Sequence, residues 1–378
     1  MRSLAMVMVV CFSSQLVGQD LKKPRYSAEK FATGYLKYES GIPIVVANGT
    51  PEEVGQQFGE LAIKQAKKTL LSRVDSYVEK LGWQESFPQL LKIAPLATGN
   101  FPKDLRVELD AAAKQSGVDR NLLIALNLIP DQTKIGGCST LVVQPERSAL
   151  GQPLFARNLD WPPYEEIGDF TLVYVAKTKG KKAVALVTLP CLVGCISGMN
   201  ESGLCVAINE ITVSKDQAKT PNLLGTPMLL LFRRILEECS TVDEAEKLLK
   251  QAQRTTYFCL TVCDIKGGCV LEVTPKSLER RSPEENVTCC TNHFRTEPLC
   301  VNKKCARYDA LAKVQANGKK LGVADVYAAM DSVNQGQNTI QTMVFEPVER
   351  VLHLSFGGSE SASKKKPIRI DLKPYFEK

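Results

Sequence analysis

From 53 to 81 the apolar positions Phe58, Leu61, Leu70, Val74, Tyr77 and Leu81 recur at roughly helical spacing, which predicts a helix with one buried face. A second helix is expected over 103–115, with Gly117 just past its end. A third follows Asp119, a good N-cap, through Leu122 to Leu128. At Cys138 the pattern changes abruptly to short β-rich runs at 139–143, 153–158, 170–176, 183–189 and 204–209, separated by turn signals such as Lys179-Gly180 and Glu201-Ser202-Gly203. Two helices come next, one opened by Thr226-Pro227 and one by the capping box from Thr241 to Glu244. Strands resume at 257–263, 270–273 and 287–291. Helices at 305–316 and 323–330 and strands at 342–345 and 351–356 close the chain. Runs of strands alternating with runs of helices predict an α+β fold of layered sheets covered by helices.

Composition and local pattern add further restrictions. With 44% hydrophobic and 24% charged residues over 378 positions, the chain can bury a substantial core. The net charge of +7 is scattered; the one compact run, Lys364-Lys365-Lys366, lies between Gly357 and Pro367 and reads as a solvated loop, so no nucleic-acid partner is expected. Met1-Arg2, the apolar run from Leu4 to Phe12 and the small-residue stretch from Ser13 to Gly18 read as an export signal over 1–18. The run is about half the length that a bilayer span requires, and no other stretch reaches it. Export leaves twelve of the thirteen cysteines in an environment that permits disulfides. Their spacings, with only His293 and His353 to help, are not those of a zinc site, so neither metal nor cofactor is implied. Asn48, Asn200 and Asn286 begin glycosylation-type sequons.

The candidate chemistry gathers at Gly136-Gly137-Cys138-Ser139-Thr140, where helical pattern yields to strand and two glycines permit backbone geometries that other residues resist. A hairpin centred near Arg147-Ser148 brings Cys138 opposite Arg157-Asn158-Leu159-Asp160. Strand alternation sends Arg157 and Asp160 to opposite faces, so both reach one site only if the strand ends or bulges between them.

Cys138-Ser139-Thr140 followed by the run from Gly151 through Arg157-Asn158-Leu159-Asp160-Trp161 resembles the start of the mature catalytic subunit in the penicillin acyltransferase family of autoproteolytic enzymes. More distantly it is similar to choloylglycine hydrolases and acid ceramidases. The resemblance extends through the run from Gly49 to Gly59, the run from Gly198 to Leu204, Thr291-Asn292-His293-Phe294 and Arg307-Tyr308. It implies a four-layer αββα sandwich with a mainly helical segment over 19–137 and a catalytic segment over 138–378, produced by self-cleavage between Gly137 and Cys138 and retained as a heterodimer. It further implies that the Cys138 thiol is the nucleophile and that its freed α-amino group, titrating near 7.7–8.0, is the base. Arg157 would favour the thiolate or hold the substrate carbonyl, Asp160 would orient the amine, and Asn292, with Asn209 as second candidate, would donate to the oxyanion. Arg307 would support the site. The expected substrate is a small N-acyl amide. The stretch between Cys138 and Arg157 is a few residues longer than in the bile-salt and ceramide branches, so their substrates are not carried over.

Two rival readings accompany this one. A papain-like thiol hydrolase would use Cys138 with His293, about 150 residues downstream. Against it, Cys138 opens a β run rather than a helix, and such an enzyme has no need of the Arg157–Asp160 motif. A binding protein on the same fold would have lost the chemistry, whereas Cys138, Arg157, Asp160 and Asn292 are all present.

Overall fold

The computed structural model describes residues 24–132, 136–162, 166–357 and 360–377. The expected export signal over 1–18 lies outside them. Three strands come first, β1 (Glu29–Phe31), β2 (Gly34–Glu39) and β3 (Ile42–Gly49). Six helices follow: α1 (Pro51–Phe58), α2 (Lys64–Lys67), α3 (Val74–Lys80), α4 (Ser86–Ala97), α5 (Lys103–Ser116) and α6 (Arg120–Gln132). Next come β4 (Gly137–Val143), β5 (Leu154–Asp160), β6 (Leu172–Thr178), β7 (Val184–Thr188), β8 (Ser197–Asn200) and β9 (Cys205–Glu210), then α7 (Met228–Glu238) and α8 (Val242–Gln251). The strands β10 (Phe258–Asp264), β11 (Gly267–Val273), β12 (Leu278–Arg281) and β13 (Val287–Cys290) precede α9 (Ala306–Ala316) and α10 (Val323–Asp331). The chain closes with β14 (Thr339–Glu346), β15 (Val351–Phe356), β16 (Ile368–Asp371) and α11 (Lys373–Phe376).

Two sheets result. One has ten strands in the order β1-β2-β3-β6-β7-β8-β9-β10-β11-β12, and the other six in the order β13-β4-β5-β14-β15-β16. Period-two alternation sorts the side chains into three apolar layers. Val142, Phe155, Met343 and Phe345 of the smaller sheet face Ile44, Val46, Val173 and Val175 of the larger across the middle. Leu141, Val143 and Ala156 point the other way, against Leu311 of α9 and Val326 and Met330 of α10. Tyr174, Val206, Leu260 and their neighbours on the larger sheet pack under Phe58 of α1, Leu109 of α5, Ile124 of α6 and Leu231 of α7. Helices, sheet, sheet, helices is the αββα sandwich.

The segment before residue 137, expected to be mainly helical, carries α1–α6 but is not helical throughout. It also supplies β1–β3, and β3 pairs in parallel with β6 over the register from Ile44↔Val173 to Gly49↔Thr178. The β2–β3 turn holds Ser40 at φ 49° and Gly41 at φ 93°, the twisted two-residue turn of tight hairpins. The helix expected over 53–81 is broken: a π-helical stretch (Gly59–Ile63) and a 3-10 turn (Leu71–Arg73) divide it into α1, α2 and α3. Gly55 explains the close fit of α1 on α5, since a Cβ there would lie 2.1 Å from the carbonyl oxygen of Glu108. The sequence reading also passed over α4, β8, β12 and β16. All twelve cysteines from Cys138 onward are free thiols, ten of them buried. No helix among the described residues is long and apolar enough to cross a membrane.

Candidate active site

Cys138 lies at the start of β4, where that strand pairs with the end of β5: Gly137 stands opposite Asp160, Cys138 opposite Leu159 and Thr140 opposite Arg157. Gly137 is not in the left-handed region that only glycine adopts readily. What it provides is room, because a Cβ would sit 3.1 Å from the Asp160 Cβ. The glycine therefore serves close approach rather than a twisted backbone.

Every polar atom of Cys138 is held. Its backbone N–H donates to Asn292 Oδ1 at 2.8 Å, its carbonyl accepts from Arg307 at 2.6 Å, and its Sγ receives an Arg157 N–H at 2.9 Å. Arg157 is fully buried on the inter-sheet face of β5. Its guanidinium also donates to the Asn158 carbonyl at 3.2 Å, the Ile196 carbonyl at 3.2 Å and the Ser197 hydroxyl. No carboxylate among the described residues lies within ion-pair distance of it. A buried guanidinium without an anion is costly, and the atom that can supply the missing charge is the Cys138 sulfur. In the uncut chain burial pushes the thiol up to about 11; Arg157 opposes that shift, while Glu210 and Asp160 add to it.

Asp160 is on the opposite face of β5. Thr339 Oγ1 donates to its Oδ1 at 2.6 Å, Arg307 lies 3.6 Å from Oδ2, and Oδ2 itself is buried without a hydrogen bond. Burial raises this carboxyl above its ordinary value against the pull of Thr339 and the two arginines. Arg307 also donates to Ser139 Oγ at 3.0 Å and to Asn292 Oδ1 at 2.9 Å, so it ties β4 to the loop after β13.

The two oxyanion candidates stand differently. The Asn292 amide donates to the Glu210 carbonyl at 2.9 Å, whereas Asn209 Nδ2 is buried with no acceptor while its Oδ1 is held by Thr140 Oγ1 at 3.3 Å. The donor left open beside the inter-sheet face is thus that of Asn209. His293 makes no hydrogen bond to Cys138, and its Nδ1 is buried and unpaired. Burial, then Arg295 and Arg307, hold its pKa below the ordinary histidine value.

Sequence reading missed Glu210, whose carboxylate accepts the Gly136 N–H at 3.1 Å and so grips the peptide just ahead of Cys138. Its one signal is an acidic residue following Asn209 at the buried end of β9. Thr339 and Ser197 had no signal, since Thr339 meets Asp160 through the pairing of β14 with β5 and Ser197 meets Arg157 from β8 of the facing sheet. An apolar cavity of ≈ 780 Å³, its open mouth included, borders the site. Its wall includes Leu159, opposite Cys138, with Trp161, Ile196, Leu192, Tyr77 and Phe87. No cluster of metal-ligating side chains occurs among the described residues.

The four-layer sandwich is that of the N-terminal-nucleophile hydrolase class, and this constellation stands at the start of β4. A family model for acyl-coenzyme A:6-aminopenicillanic acid acyl-transferase matches residues 147–361, more than half of the chain, and the protein belongs to that family. Among solved structures, it is similar to a Caenorhabditis elegans N-acylethanolamine-hydrolyzing acid amidase ortholog at 18% identity and a TM-score of 0.44, over 56% of this chain and 93% of that one. A variant of conjugated bile acid hydrolase from Clostridium perfringens matches at 14% identity and a TM-score of 0.43, over 63% and 93%. Penicillin V acylase from Agrobacterium tumefaciens matches at 16% and 0.37, over 58% and 83%. No curated protein matches the sequence.

Proposed function

We propose that this protein is an exported autoproteolytic enzyme that cuts its own Gly137–Cys138 bond and then acts through Cys138 on the linear C–N amide bond of N-acyl compounds. The observation that carries the reading is the buried Arg157 guanidinium, which lacks a carboxylate partner among the described residues and donates to the Cys138 sulfur. In the first reaction the thiol attacks the Gly137 carbonyl, a C–S bond forms, the C–N bond breaks and the nitrogen takes the thiol proton. Water then hydrolyses the ester, leaving a carboxylate on Gly137 and a free amine on Cys138. The amine, a group that in free peptides titrates at about 7.7–8.0, then takes the thiol proton in each turnover. Activity therefore falls as the pH is lowered and the amine becomes charged. Asn209 Nδ2 is the available donor to the tetrahedral oxyanion, and Asn292 holds the amine.

The parallel β3–β6 ladder joins residues from either side of the cut, which supports a heterodimer that stays together. Export rests on the Met1–Gly18 pattern. The apolar cavity beside Leu159 favours an uncharged hydrophobic acyl group, because a buried charge there would find no partner. A thioester passes its acyl group to water or to an amine alike; an exported enzyme without a supply of acyl-coenzyme A is read as a hydrolase.

The test is N-terminal sequencing together with a panel of p-nitroanilides of acetic, hexanoic, dodecanoic, phenylacetic and succinic acids. A fragment starting at Cys138 and a kcat/KM that rises with apolar acyl size are expected, by up to about 0.8 kcal/mol per buried methylene. An uncut chain, or a preference for the succinyl amide, would count against the proposal.

Glu210 supplies a second expected result. Glu210→Ala removes a charge-assisted hydrogen bond to Gly136 N–H, worth about 1.5–3 kcal/mol, and slows the appearance of the two fragments by roughly 10- to 100-fold. A gel time course of the purified precursor measures this; an unchanged rate removes Glu210 from the processing step.

A further inference from the structure

We infer that Asn127, which belongs to the segment ahead of the cut, is a positioning residue of the catalytic centre and acts on Arg157 through the loop over 191–197. The inference rests on the reading of Cys138 as nucleophile.

Asn127 is fully buried in α6, and its amide is saturated: Nδ2 donates to the Cys191 carbonyl at 3.1 Å and to the Leu123 carbonyl at 2.9 Å, while Oδ1 accepts from Val193 N at 3.2 Å and Gly194 N at 3.1 Å. Three of those four bonds go to one loop. At its far end that loop presents the Ile196 carbonyl and the Ser197 hydroxyl, the acceptors for the Arg157 Nη1 whose sister nitrogen faces the Cys138 sulfur. Its two ends line the apolar cavity through Cys191, Leu192 and Ile196.

The loop is also fastened from behind. Arg233 donates to the Val193 carbonyl at 3.1 Å, the Cys195 N–H bonds to the Leu229 carbonyl at 2.8 Å, and a Cβ on Gly194 would come within 2.6 Å of Leu229 Cβ. A core-filling role at this helix position would be met by leucine, as at Leu123 and Leu128. Asparagine instead satisfies three backbone groups of a loop that has no regular partner strand there, and it sets where the Arg157 fork points. A displacement of the loop by a fraction of a hydrogen-bond length re-aims the guanidinium away from sulfur. By this route the N-terminal fragment contributes to the catalytic centre and to one wall of the acyl cavity, so the two fragments form one site.

The test compares Asn127→Leu and Asn127→Ala with Gln57→Leu. Gln57 is a buried amide that clamps Asn48 N–H and carbonyl, at 3.0 and 2.8 Å, away from the site. Whichever Asn127 variant folds carries the measurement, made on the processed heterodimer well below its melting temperature. Expected for Asn127 are a kcat lowered roughly 10- to 100-fold and an iodoacetamide-labelling curve of Cys138, followed by peptide mass, moved about one unit to higher pH as Arg157 loses its aim. Gln57→Leu should lose thermal stability with the labelling curve and kcat unmoved. Equal labelling curves and equal kcat for the two positions overturn the inference and leave Asn127 as a core clamp. The reading of Cys138 fails separately, if Cys138→Ala keeps its activity with Asn127 intact.

Discussion

Cys138→Ala is expected to yield one uncut chain of unchanged fold with no measurable amidase turnover. Without sulfur there is neither an attack on the Gly137 carbonyl nor an acyl-enzyme, and losing a nucleophile of this kind costs on the order of 10³-fold or more. The fold should persist because Cys138 is a small side chain in an apolar cluster, where the truncation costs about 1–2 kcal/mol at most. Cys138→Ser separates the two steps: its hydroxyl keeps the geometry but is a poorer nucleophile at neutral pH, so slow cleavage without efficient turnover is expected. Intact mass and a continuous amide assay measure both variants. Two fragments from Cys138→Ala would remove self-processing by this thiol.

Arg157→Met is the second large effect. Methionine approximates the length of the stem and removes a fully buried charge that has no carboxylate partner among the described residues, which limits the loss of stability. The Ile196 carbonyl and Ser197 hydroxyl lose their donor, at a cost of about 1–3 kcal/mol, and the melting temperature should fall by only a few degrees. Catalysis should fall far more, by roughly 10²–10³-fold in kcat/KM, the range seen when a preorganised donor is removed from a reacting centre. The Cys138 thiol should titrate at higher pH, since Arg157 is the group that opposes its burial. A variant within threefold of wild-type activity would mean that the Sγ contact is incidental.

Much of this site was legible along the chain because the hairpin of β4 and β5 is local. A turn near Arg147-Ser148 and strict alternation place Cys138 against 157–160 and send Arg157 and Asp160 to opposite faces, as the register has it. Other features were hidden for identifiable reasons. The β2–β3 turn uses Ser40 where Asn or Asp is usual at positive φ, so its signal is weak. The 53–81 periodicity continues through the π-helical stretch, and the close approach of Gly55 and Gly59 to α5 has no counterpart in that pattern.

What the sequence determined by itself is whatever depends on near neighbours: the two periodicities, the caps, the hairpin register and hence the opposition of Cys138 to the Arg157–Asp160 strand end. What only the tertiary structure decided is which distant groups complete the centre. Asn292 comes from 154 residues away to hold the Cys138 N–H, Glu210 from 74 residues beyond Gly136 to grip it, and Asn127 reaches across 66 and 67 residues to Val193 and Gly194. No local propensity encodes such pairs. They follow from the order in which the strands assemble into two sheets, and that order is set by which apolar faces can be buried together.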